Sequence, residues 1–170
     1  STGSLSLDFA LGIGGIPNAV AASLYGKKNL GVHTEMLTTG MVKLAKAGVI
    51  NGKCKQINNG KMVAAFAMGT KELYDFIDDN PAVEILDGGY VNDPYTIMQN
   101  DNQVSINTTI EVDITGQCCS ESLGSRQFSG TGGAFCFAYG ALHSKGGRGI
   151  LAFQAATAKG ASKISPQLKP

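Results

Sequence analysis

The 170 residues predict an α/β fold, an open sheet that is mixed but mostly parallel, with helices on both faces. Three observations predict it. Apolar runs of strand length alternate with helix-patterned segments, as in strands joined by helical crossovers. One of those runs, M-V-A-A-F-A-M at 62–68, is apolar throughout, as expected for a strand covered on both faces. Glycine, at 23 residues, is about twice its usual fraction of roughly 7%. It clusters at the junctions: G-I-G-G at 12–15, G-G at 88–89, G-T-G-G at 130–133 and S-K-G-G-R-G at 144–149. Clustered glycines between apolar segments mean tight loops and close approach of backbone to another element or to a ligand.

In order along the chain, I-P-N-A-V-A-A-S-L-Y (16–25) predicts a helix with Pro17 in its first turn, following a glycine loop. L-G-V-H-T (30–34) predicts a short strand that ends at Glu35. M-V-K-L-A-K-A (41–47) is helical, with Val42, Leu44 and Ala45 on an apolar face and Gly48 as the stop. T-K-E-L-Y-D-F-I-D-D-N (70–80) is an amphipathic helix with Thr70 as N-cap and Pro81 after its end. N-D-P-Y-T-I-M-Q-N (92–100) starts a short helix at Pro94. The strongest strand is 103–115, where Val104, Ile106, Thr108, Ile110, Val112 and Ile114 share one face. Ser105, Asn107, Thr109, Glu111 and Asp113 take the other, which makes Glu111 and Asp113 structural. F-C-F-A-Y-G-A-L-H (135–143) is helical, and R-G-I-L-A-F-Q-A (148–155) is a last buried strand.

Composition removes several function classes. Hydrophobic residues are 43% and charged residues 16%, which suits a globular chain and not a disordered one. Net charge is +1 and the 14 Lys and Arg form no cluster, so no nucleic-acid partner is expected. No apolar run approaches the roughly 18–20 residues of a membrane span, and no signal-peptide shape opens the sequence; a cytoplasmic setting is expected. Cys54, Cys118, Cys119 and Cys136 lack metal-ligand spacing, and His33 and His143 are the only histidines, so no metal site is expected.

Three features carry chemistry. L-G-I-G-G-I-P places glycines before a helix whose amides can meet an anion, although it fits neither the dinucleotide fingerprint nor the P-loop. A tight strand–helix turn explains it equally well. G-T-G-G at 130–133 is a second backbone cradle, for an oxyanion or merely for a turn. Glu35 falls at a strand's carboxyl end, where ligands sit in open α/β sheets, 19 residues after the first helix begins. A lone carboxylate there can attack an acyl group if donors stabilise the developing charge. His33 points to the same side of the strand but has no nucleophile to serve. Asn92 and Asn107 are weaker candidates for polar contacts, expected to satisfy local backbone, and Glu121 is the fallback carboxylate.

At L-G-I-G-G-I-P-N-A-V, L-G-V-H-T-E-M, M-G-T-K-E-L-Y-D-F-I, Y-V-N-D-P-Y, S-I-N-T-T-I-E-V-D-I-T-G-Q, S-E-S-L-G-S-R-Q-F-S-G-T-G-G, H-S-K-G-G-R-G-I and A-S-K-I-S-P, the sequence resembles the C-terminal half of the acetyl-CoA hydrolase/transferase family. Within it, the likeness is to coenzyme A-transferases of 4-hydroxybutyrate, butyrate and acetate. It runs from Leu11 onward, while residues 1–10 fit it poorly. The resemblance implies a coenzyme A-transferase-like (NagB/RpiA-like) fold, with residues 11–170 as a C-terminal catalytic domain. The family's catalytic glutamate falls on Glu35. Its coenzyme A loop falls on Gly12, Ile13, Gly14, Gly15 and Ile16, with further contacts at Ile110 and Gly133. The amides of Gly132 and Gly133 would stabilise the oxyanion.

The reaction implied moves CoA between a short-chain acyl-CoA and a carboxylic acid through a glutamyl-CoA thioester. Coenzyme A is then a substrate, and no cofactor is permanently bound. The implied partners are acyl-CoA, short-chain acids, the family's N-terminal half and further copies in a homo-oligomer. Acyl-CoA hydrolysis and a non-catalytic CoA-binding or partner half are the alternatives. A-F-C-F after the second glycine loop departs from the family's small or acidic residues there.

Overall fold

The computed structural model describes residues 4–7 and 15–168. The main sheet holds β1 (Ser4–Leu7), β2 (Gly31–Leu37), β3 (Met62–Ala67), β4 (Val83–Ile85), β5 (Val104–Thr108) and β10 (Arg148–Ala152). Its spatial order is β10-β5-β1-β2-β3-β4, and every neighbouring pair is parallel. The mostly parallel sheet expected from the alternating pattern is therefore present. Among the described residues, Ala156 and Ser162 form an isolated antiparallel bridge, and antiparallel strands occur in two small sheets. One joins β6 (Glu111–Asp113) to β7 (Cys118–Cys119) and, in parallel, to β11 (Ile164–Ser165). The other is the hairpin of β8 (Ser122–Leu123) and β9 (Arg126–Gln127).

Helices cover both faces because β3 is apolar on both. Met62 and Ala64 join a core with Val32, Met36 and Leu37 of β2, with α2 (Thr39–Lys46) through Met41, Val42 and Leu44, and with α3 (Lys71–Ile77) through Leu73. α1 (Gly15–Ser23) adds Ala21 to the same layer. Val63, pointing the other way, packs with Val91 of α4 (Gly88–Val91), Ile97 of α5 (Pro94–Ile97) and Phe137 of α6 (Ala134–His143). Phe137, Gly140 and Ala141 form the buried stripe of α6 at helical spacing. Gly140 is required there: a Cβ would stand 2.7 Å from Ile97, so only glycine lets α5 and α6 approach this closely.

Four expectations need correction. β2 does not stop at Glu35; it continues to Leu37, because Met36 and Leu37 pair with Phe66 and Ala67 of β3. The long strand at 103–115 is two strands in different sheets. After Thr108 the chain leaves the main sheet: Ile110 N–H and the Thr109 hydroxyl both donate to Cys119 O. Its polar face is also the more buried one, since Ser105, Asn107 and Thr109 are covered while Val104 and Ile106 are half-buried. β10 is an exposed edge strand, with Ile150 and Leu151 41% and 43% exposed. Thr70 occupies the N-cap position of α3 without capping it by its side chain. Its own N–H donates to Thr39 Oγ1 instead, tying α3 to α2.

Candidate active site

Glu35 sits near the carboxyl end of β2, half-buried, with both carboxylate oxygens occupied. Asn92 Nδ2 donates to Oε1 at 3.0 Å and the Gly133 amide donates to Oε2 at 3.2 Å. Among the described residues no Lys, Arg or His pairs with it. Neutral N–H donors aim the carboxylate without the bidentate ion pair by which a guanidinium would grip it.

Each donor has a local origin. Gly133 is the N-cap of α6, and Phe137 N–H returns to its carbonyl. The carboxylate thus lies at the positive end of a ten-residue helix. Gly132 before it has φ +57°, the left-handed region that favours glycine. At Gly133 itself a Cβ would stand 2.8 Å from Glu35 Oε2 and 2.9 Å from Asn92 Nδ2, so the close approach needs a bare backbone. Asn92 is the C-cap of α4, whose start is capped by the Asp87 side chain accepting from Gly89 N–H.

The structure brings together Glu35 and Gly133, with Gly132 beside them. It adds Asn92, which does not spend its side chain on local backbone as expected; the amide spans to Glu35, and its Oδ1 is buried without a partner. Asn107 bonds Ser105 Oγ and, at 3.4 Å, the Ala134 carbonyl, and its Oδ1 is also unpartnered. Ile110 lies where β5 gives way to β6, half-buried. Gly15 and Ile16 open α1, whereas Gly12, Ile13 and Gly14 lie outside the described residues. Glu121 closes the β8–β9 hairpin: its carbonyl accepts from Phe128 and Ser129 N–H and its carboxylate from Gln127. Asp113 is structural as expected, taking N–H and hydroxyl bonds from Thr115, Gln117 and Leu168. The Thr115 hydroxyl above all holds its carboxyl at about 2.

Two buried bases lie beside or beneath the site. His33 is 0% exposed and its imidazole meets the Val91 carbonyl at 2.8 Å. Burial pushes its pKa down to about 4, with Lys55 adding to the effect and the Val91 bond opposing it. Lys55, also buried, donates to the Val32 and Lys61 carbonyls and is lowered by burial to about 8, against the pull of Glu84. Among the described residues no group of three His, Cys, Asp or Glu could hold a metal ion, and no helix is long and apolar enough to cross a membrane. A surface groove lined by Lys46, Lys71, Glu72 and Asp75 holds none of the site residues.

Known proteins share this arrangement of chain. Residues 69–170 match the family described as Acetyl-CoA hydrolase/transferase C-terminal domain. The chain belongs to the acetyl-CoA hydrolase/transferase family. It is 54% identical over 159 residues to 4-hydroxybutyrate coenzyme A transferase of Clostridium kluyveri, covering 93% of this chain and 37% of that protein. Butyryl-CoA:acetate CoA-transferase of Anaerostipes caccae is 41% identical over 162 residues, covering 94% and 36%. RipA from Yersinia pestis superposes with a TM-score of 0.91 at 42% identity, covering 100% of this chain and 38% of that one. 4-Hydroxybutyrate CoA-transferase from Porphyromonas gingivalis superposes at 0.84, also with 42% identity, covering 98% and 38%. The chain spans a little over a third of the length of the curated relatives it matches.

Proposed function

We propose that residues 11–170 are the C-terminal catalytic domain of a coenzyme A-transferase, with Glu35 as its nucleophile. The observation that carries the reading is the pair of neutral donors, Asn92 and Gly133, on the two oxygens of one carboxylate. A Glu35 oxygen attacks the thioester carbon of a short-chain acyl-CoA, the C–S bond breaks and CoA leaves as thiolate. The product is a mixed anhydride on Glu35. The thiolate then attacks the Glu35 carboxyl carbon, the original acid leaves as carboxylate, and a glutamyl-CoA thioester remains. An incoming carboxylate runs both steps in reverse.

At each attack, negative charge moves onto a carbonyl oxygen. Where that oxygen is Glu35's own, in the thiolate's attack, the Gly133 N–H already on Oε2, with the Gly132 amide beside it, is its donor. Gly12 to Ile16, entering α1, would meet coenzyme A together with Ile110. Acyl groups of the size of 4-hydroxybutyryl, butyryl and acetyl suit the names of the relatives. Coenzyme A is substrate, the N-terminal half of a longer chain and a second copy are the protein partners, and the setting is cytoplasmic.

The test is to incubate the full-length protein with butyryl-CoA or 4-hydroxybutyryl-CoA, reduce with borohydride and map the peptides. Reduction of a thioester leaves an alcohol at Glu35. An alcohol at Glu121 would move the nucleophile there, and none anywhere would end the transferase reading. Hydrolysis in place of transfer would appear as free CoA released with no acceptor acid present.

A further inference from the structure

His33 and Glu35 lie two residues apart on β2 and so project to the same side. A carbonyl only accepts, so in the 2.8 Å contact with Val91 the proton is on His33 Nε2 and the neutral ring donates. The next residue, Asn92, donates to Glu35. β2 and the end of α4 are therefore joined by two consecutive rungs, His33 to Val91 and Glu35 to Asn92. α4 is a single turn, too short to hold its own position. Its backbone closes through Asn92 N–H to Gly88 O and Asp93 N–H to Tyr90 O, which leaves the Val91 carbonyl to His33. The imidazole is itself fixed between the rings of Tyr90 and Phe137, with centroids at 6.4 and 6.2 Å.

We infer that His33 is a positioning residue for Glu35: by holding the Val91 carbonyl it sets the end of α4 so that the Asn92 amide meets the carboxylate. The inference rests on Glu35 being the nucleophile. His33 exchanges no proton with substrate. Burial keeps the ring neutral at ordinary pH, so the donor is present as one tautomer.

The experiment compares His33→Gln and His33→Asn in the full-length protein, each with and without Asn92→Ala. Gln carries an amide nitrogen near the place of Nε2, whereas Asn is one methylene too short to reach Val91. His33→Gln keeps kcat within about 3-fold of wild type, while His33→Asn lowers it about 10-fold with KM for acyl-CoA within about 2-fold. On the Asn92→Ala background His33→Asn costs less than about 2-fold, since the residue it acts through is gone. Equal losses on both backgrounds, equal behaviour of Gln and Asn, or a change confined to KM would each overturn the inference. If the wild type forms no thioester at Glu35, the nucleophile reading fails separately. Positioning is then decided by a crystal structure of His33→Asn. There Asn92 Nδ2 is expected out of hydrogen-bond reach of Glu35 Oε1, and an unchanged contact would end the idea.

Discussion

The amide of Gly133 lies 3.2 Å from Glu35 Oε2 although 98 positions separate them in sequence. The contact joins the carboxyl end of a central strand to the amino end of a helix, and no side chain intervenes on the glycine's part. It is one of the two contacts that carry the nucleophile reading, the other being the Asn92 amide on Oε1.

Gly133→Ala tests that dependence directly. A Cβ at 2.8 Å from the carboxylate forces Glu35 or α6 to move by several tenths of an ångström or more. Misplacing a nucleophile on that scale costs up to about 100-fold. The expected result is a large fall in kcat with the thermal midpoint nearly unchanged, because the clash falls on two half-buried side chains, Glu35 and Asn92, outside the packed cores.

Asn92→Ala removes the donor on the other oxygen. If the amide also serves the transition state, kcat falls by about 100- to 1000-fold, the range seen when one oxyanion donor is lost. Stopped-flow formation of the thioester, rather than steady-state turnover, is the measurement that isolates the attack.

Acid weakens the fold through His33. Its folded pKa, about 4, lies below the ordinary 6.5, so the unfolded chain binds the proton more readily between those values. Stability contributed by the neutral ring is present above pH 6.5 and lost as pH falls through 4. Urea midpoints at pH 7 and pH 5 should differ more for wild type than for His33→Gln.

Lys55 gives the complementary slope in base. Its folded pKa is about 8 against an ordinary 10.5, so the unfolded chain again holds more protons in that window. Stability rises as pH climbs from 8 to 10.5, and Lys55→Met should flatten the rise in urea titrations across that range.

Phe137→Ala opens the second core. Phe137 is 0% exposed against Val63, Val91 and Ile97. The cost is about 3–5 kcal/mol. It should appear as a lower denaturant midpoint with an unchanged m-value.

Much of this was legible in the residues. The apolar run at 62–68, the helices around Leu44, Leu73 and Phe137 and the glycines at 132–133 stand where the pattern places them. Asn92 was not legible as a partner of Glu35, because it reaches the carboxylate only through α4. That single turn, G-G-Y-V, has no apolar period; its one sequence signal is Asp87 two residues before Gly89 as a cap. The break between β5 and β6 was hidden because both strands keep the same alternation while changing sheets. Ile150 and Leu151 read as buried because hydropathy reports what a side chain prefers, not what the neighbouring surface supplies.

The place of β1 gives the Glu35–Gly133 contact its span. Glu35 belongs to the wing of β2, β3 and β4, whereas Gly133 leads into α6, which packs on β5 and β10. Ser4–Leu7 stands between those wings, pairing with β2 on one side and β5 on the other. Neighbouring strands are roughly 4.8 Å apart, so two spacings, about 10 Å, separate the ground beneath the carboxylate from the ground beneath its donor. Four residues of backbone act as a calliper for the pair: by pairing with β2 and β5 at once, β1 decides how far apart the two sides of the site stand.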